Sequence, residues 1–149
     1  AAGYLGFAHS QGGESFYGGY GFGLDYEQVL NERGRVLGGI EFRAIQWGNQ
    51  LAFHAGYDYA YVAEGPWRLG ARAQLLAGSA LFGNGGLFVF GGEVGTMVQW
   101  KSPKAFFAVL GVGVRYSSCP AFAEYSSITA VWEVPLRVGF GFKFGNRKN

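Results

Sequence analysis

Taken two residues at a time, the chain sorts its aromatic and its charged side chains onto opposite faces, and that alternation confines it to β structure of an unusual polarity. Phe53, Ala55, Tyr57, Tyr59 and Tyr61 oppose Ala52, His54, Gly56, Asp58 and Ala60. Trp67, Leu69, Ala71, Ala73 and Leu75 oppose Arg68, Gly70, Arg72 and Gln74. Further along, Phe88, Phe90, Val94, Val98 and Trp100 stand against Gly91, Glu93, Gly95 and Gln99, and Trp132, Val134, Leu136, Val138 and Phe140 against Glu133, Arg137, Gly139 and Gly141. Six acids lie within strands, Asp25, Glu27, Glu41, Asp58, Glu93 and Glu133, with six bases, Arg43, Arg68, Arg72, Arg115, Arg137 and Lys143. All twelve share the face opposite the aromatics.

The same pattern gives eight segments, at roughly 3–10, 15–28, 35–47, 50–63, 67–79, 86–100, 105–117 and 127–144. Turn residues separate them, and Gly48-Asn49 reads as a two-residue type II′ hairpin because glycine supplies the positive φ at its first position. Pro135 lacks a ladder donor inside the last segment, so a bulge is expected there. No stretch keeps a 3.6-residue apolar spacing beyond about two turns, and none reaches about 18 uncharged apolar residues, so neither a bundle nor a spanning helix is offered. The 149 residues make one domain, 1–149, all-β and antiparallel. Ala1-Ala2-Gly3 is read as a mature end left by signal cleavage. A net charge of +2 with no long basic run gives no basis for nucleic-acid binding, and a single cysteine, Cys119, allows no internal disulfide.

Which face lies inside decides the class. A soluble barrel would bury the aromatics and show charge to water, yet eight strands enclose space for only ordinary side chains. Thirteen strand glycines share the charged face and only Gly18, Gly38 and Gly92 the aromatic one. An eight-stranded antiparallel transmembrane β-barrel accounts for both, with aromatics toward lipid and glycine and charge toward a narrow polar interior. Tyr26, Trp47, Tyr61, Trp67, Trp100 and Tyr116 fall near strand ends, as an interfacial girdle requires. The pattern over the whole chain resembles the small eight-stranded outer-membrane barrels, such as the transmembrane domain of outer-membrane protein A and OmpX. Val138 to Phe144 resembles the terminal strand of that family, although Gly145 to Asn149 extend past the expected aromatic end. The resemblance implies a Gram-negative bacterial outer membrane.

A three-residue turn at Glu64-Gly65-Pro66 would set Ala63 opposite Trp67 and Asp58 opposite Arg72. Pairing Ser79 with Gly86 would add Glu93 opposite Arg72, an acid–base–acid row across three strands. Arg115 and Glu133 can pair across the last hairpin, and Glu41, Arg43 and Arg137 complete the interior network. Three functions stay open. One is a structural or interaction component with a charge-plugged interior, partnered by membrane lipid and another barrel or periplasmic protein. The others are a narrow pore for ions or small solutes and a lipid A-modifying enzyme. Lipid A deacylases resemble a His-x-Ser pair on one outward strand; His9 precedes Ser10 directly and His54 has Gly56 two residues on, so no catalytic residues, cofactor or metal site are assigned. His54 is placed as an interior polar residue near Arg43. With both termini periplasmic, Arg33, Arg35, Lys101, Lys104, Arg147 and Lys148 make a basic rim with Glu32 and Glu64, and Glu14 and Glu124 lie at the other rim.

Overall fold

The structure is a computed structural model that describes residues 2–10, 13–45, 48–82, 85–103, 106–120 and 130–142. Among them are eight strands: β1 (Ala2–Ser10), β2 (Gly13–Val29), β3 (Gly34–Ile45), β4 (Gly48–Glu64), β5 (Trp67–Phe82), β6 (Gly85–Lys101), β7 (Phe106–Ser118) and β8 (Ala130–Phe142). Each is antiparallel to its neighbours, and β1 closes on β8 from Ala2↔Arg137 to His9↔Ala130, giving a closed barrel in sequence order. β4, β5 and β6 run 16–17 residues, longer than the about 9–11 that a tilted strand needs to cross a bilayer.

Two turns differ from the sequence expectation. Gly48 and Asn49 lie inside β4, paired with Ile45 and Ala44, so they do not form the expected hairpin turn. The II′ pattern sits instead at Gly65-Pro66, where Gly65 has φ +57° and the proline ring holds the second position near −65°. That turn is two residues long, with Glu64 opposite Trp67. A bulge at Tyr61 then shifts the register by one residue, and the shift returns Asp58 to its place opposite Arg72. The next hairpin closes at Phe82↔Gly85, two residues from the expected register. Arg72 therefore faces Gly95, and Glu93 faces Gln74, so the Asp58–Arg72–Glu93 row does not form.

Pro135 causes no bulge. It pairs with Tyr4, and β7–β8 keep one register from Val112↔Leu136 to Arg115↔Glu133.

The barrel is inverted relative to a water-soluble one. Tyr20, Phe22, Leu24, Phe53, Leu75, Phe88 and Phe140 stand exposed, while among the described residues the buried set holds 13 polar or charged residues against 8 apolar ones, three of them alanine. Cross-strand aromatic pairs clad the outer face: Phe22 and Phe42 lie 5.4 Å apart between centroids, and Tyr116 and Trp132 lie 4.9 Å apart. Glycine is what lets so few strands close around so many long side chains. A Cβ on Gly95 would lie 2.5 Å from the Val112 carbonyl oxygen and 2.8 Å from the Gly113 Cα, closer than side chains pack.

Candidate functional site

Parity along the strands carries every described interior charge into the lumen, where two clusters stack along the barrel. The first lies toward the rim of the Leu30–Arg33 and Gly65-Pro66 turns. Its centre is Arg72, which grips Asp58 with two bonds, Nε to Oδ1 at 2.8 Å and Nη2 to Oδ2 at 3.0 Å. The same guanidinium reaches Glu27 Oε1 at 2.8 Å and Asp25 Oδ2 at 3.3 Å. Arg35 Nη1 donates to Glu27 Oε2 at 3.0 Å and to Gln99 Oε1 at 2.8 Å. Arg68, 1% exposed, turns to the rim and donates to the carbonyls of Glu32 and Arg33 at 3.0 and 2.7 Å. Those donors tie β5 to the β2–β3 turn, which Asn31 itself stabilises by accepting from the Gly34 N–H at 2.6 Å.

The second cluster lies toward the opposite end. Arg115, fully buried, holds Glu41 through Nη1 and Nη2 at 2.6 and 2.9 Å and Glu93 through Nε at 2.8 Å. Arg137 Nη2 bridges the same two carboxylates, at 2.6 Å to Glu93 and 3.3 Å to Glu41. Two acids and two bases thus close a ring. Arg43 extends it to Glu133 and Gln50, and its Nε lies 3.3 Å from Glu41. Each cluster balances three carboxylates with three guanidinium groups: Asp25, Glu27 and Asp58 with Arg35, Arg68 and Arg72; Glu41, Glu93 and Glu133 with Arg43, Arg115 and Arg137.

Local neutrality matters because a lone charge in this confined space would cost several kcal/mol. Gln74 Nε2 on Glu93 at 3.3 Å and His54 Nε2 on Asp25 at 2.9 Å fill the space between. Gly39 makes room for the histidine pair, since a Cβ there would sit 2.9 Å from both Asp25 Oδ1 and His54 Nε2. Asp25 and Arg137 keep the most exposure in the network, 33% and 17% of their side chains.

All eight expected interior residues, Asp58, Arg72, Glu93, Arg115, Glu133, Arg137, Glu41 and Arg43, lie in this lattice, but several partners differ. Arg72 joins Asp58 to Asp25 and Glu27 on β2, and Glu93 joins Arg115 and Arg137. Arg115 and Glu133 are opposite in register, while Glu133 pairs with Arg43 from across the lumen. His54 pairs with Asp25 rather than lying beside Arg43. Arg35 belongs to the lattice and not to the rim; its odd position on β3, shared with Glu41 and Arg43, carried that signal. Lys143 and the rim residues Lys104, Glu124, Arg147 and Lys148 lie outside the described residues.

Of the girdle, Trp67 and Trp100 pair directly, with Tyr61 on the next strand at the same rim. Tyr26 stands exposed three residues inside the end of β2, and Tyr116 marks the other rim with Trp132, which the sequence reading did not include. Trp47 lies outside the described residues. No group of three or more His, Cys, Asp or Glu side chains is placed to hold a metal ion among the described residues.

No protein-family profile matches the chain, and no curated protein sequence does. Among solved structures it is similar to the crystal structure of Neisserial surface protein A, at 19% identity and a TM-score of 0.60, over 96% of this chain and 94% of that one. That likeness is one of fold: an antiparallel β-barrel, matched along nearly the whole of both chains.

Proposed function

We propose that the chain is an integral β-barrel of a bacterial outer membrane, closed along its axis by its own charge lattice, and that it acts through its surfaces as a structural or interaction component. The observation that carries this reading is the inversion, with aromatic and aliphatic side chains exposed around the wall and guanidinium–carboxylate pairs buried within. Such a wall is stable where hydrocarbon surrounds it, and paired strands leave few backbone groups unsatisfied there. The fold likeness to a Neisserial surface protein supports the same placement. The reading of a closed rather than an open interior is supported by the near-complete burial of Arg115, Arg68 and Asp58 within the barrel. Partners then meet the lipid-facing wall or the rims, where exposed Arg33 and partly exposed Lys101 suit anionic headgroups or an acidic periplasmic protein.

The test is insertion. Protein refolded with phosphatidylcholine vesicles should float with them after a urea wash, and lipids brominated in the acyl chain should quench its tryptophan fluorescence. Protein that washes off, with unquenched fluorescence, would contradict the reading.

A further inference from the structure

Outward and inward glycines differ in what they are for. Most described inward glycines, such as Gly95, leave no room for a Cβ, whereas a Cβ on outward Gly92 would meet only the Gln74 carbonyl oxygen at 3.5 Å and Leu75 Cδ2 at 3.7 Å, ordinary contacts. The barrel's own packing would accept a larger residue at position 92. Its absence opens a shallow groove of about 450 Å³ across the outer wall of β4 to β8.

Gly92, Ala55 and Ala73 form the floor, and Tyr57, Leu75 and Val94 rise beside it. Gln74 and Glu93 also border the groove, but both side chains are buried with the lumen network, leaving backbone as their contribution outside. In register the row runs Ala55, Leu75, Gly92, Tyr116, Trp132, from the middle of the wall up to the aromatic pair at the rim.

We infer that this groove seats one acyl chain of a membrane lipid, its ester end at the Tyr116–Trp132 lip and its methyl end over Ala55 and Ala73. The lining is apolar along its length, as an acyl chain requires. It is continuous with the wall that the proposed function places in hydrocarbon, and the inference rests on that reading. Its upper end carries a phenol and an indole, the two side chains that favour the headgroup boundary and can donate to ester carbonyls.

The experiment uses the full chain inserted in palmitoyl-oleoyl phosphatidylcholine vesicles, transferred to mild detergent, with retained phospholipid counted by native mass spectrometry. Wild type should retain one phospholipid. Gly92→Leu and Ala73→Leu, each narrowing the groove from a different strand, should lower retention about tenfold, the loss expected when roughly two buried methylenes are displaced. Ala44→Leu, on the outward face of β3 in register with Tyr20 and Asn49 and away from the groove, should retain lipid as wild type does. Flotation of every variant separates failure of insertion, which would undo the membrane reading, from failure of the groove alone. Equal retention in inserted Gly92→Leu and wild type would overturn the inference. So would a wild-type dimer that Gly92→Leu dissolves, since a second copy would then occupy the groove.

Discussion

At the scale of single residues, the two faces impose opposite rules, and adjacent positions on one strand expose the difference. Gly38 and Gly39 are neighbours on β3, one outward and one inward. A Cβ at 38 would approach nothing closer than the His54 carbonyl oxygen at 3.6 Å, whereas at 39 it would press on the His54–Asp25 pair. Gly38→Ala should leave the urea midpoint in detergent within the error of a surface change, about 0.5 kcal/mol. Gly39→Ala should cost about 1–3 kcal/mol as overpacking. Equal midpoints for the two variants would count against the assigned facing. Arg72 makes a sharper case, because its removal strands buried Asp58 and takes one partner each from Asp25 and Glu27. Arg72→Ala should lower stability by about 3–5 kcal/mol, read from tryptophan fluorescence during urea unfolding, and an unchanged midpoint would mean that the lattice does not hold the barrel together.

At the scale of the strands, register decides which charges meet, and register was the part least visible beforehand. Facing was legible throughout, since alternation alone puts Glu41, Arg43, Asp58 and Arg115 inward. So was the existence of each strand. The length of a turn was not, because it depends on local backbone conformation: Gly65 at positive φ shortens the β4–β5 turn, and the bulge at Tyr61 compensates a few residues later. Asp58 and Arg72 meet as expected although both premises of that expectation were off by one. Partners across the lumen were hidden for a different reason. In so narrow a barrel, long guanidinium groups pass over adjacent strands, and Arg43 of β3 meets Glu133 of β8 while Arg115 of β7 meets Glu41 of β3. A double-mutant cycle in the same unfolding assay tests this arrangement. Asp58→Asn with Arg72→Gln should show coupling above about 1 kcal/mol, and Glu93→Gln with Arg72→Gln less than about 0.5 kcal/mol. The reverse order would restore the row that the register excludes.

For the whole molecule, an apolar outer wall encloses an interior neutralised in two stacked layers. Each layer holds equal numbers of carboxylates and guanidinium groups, and the proposed function has the two together closing the barrel axis. Single-channel recording of the refolded protein in a planar bilayer, with insertion verified independently, tests that claim most directly. A silent membrane is expected for wild type, and ion-conducting openings when Arg115→Ala and Arg72→Ala are combined in protein that still folds. Reproducible openings of wild type at low voltage would show a continuous hydrated path through the lumen and would contradict that claim.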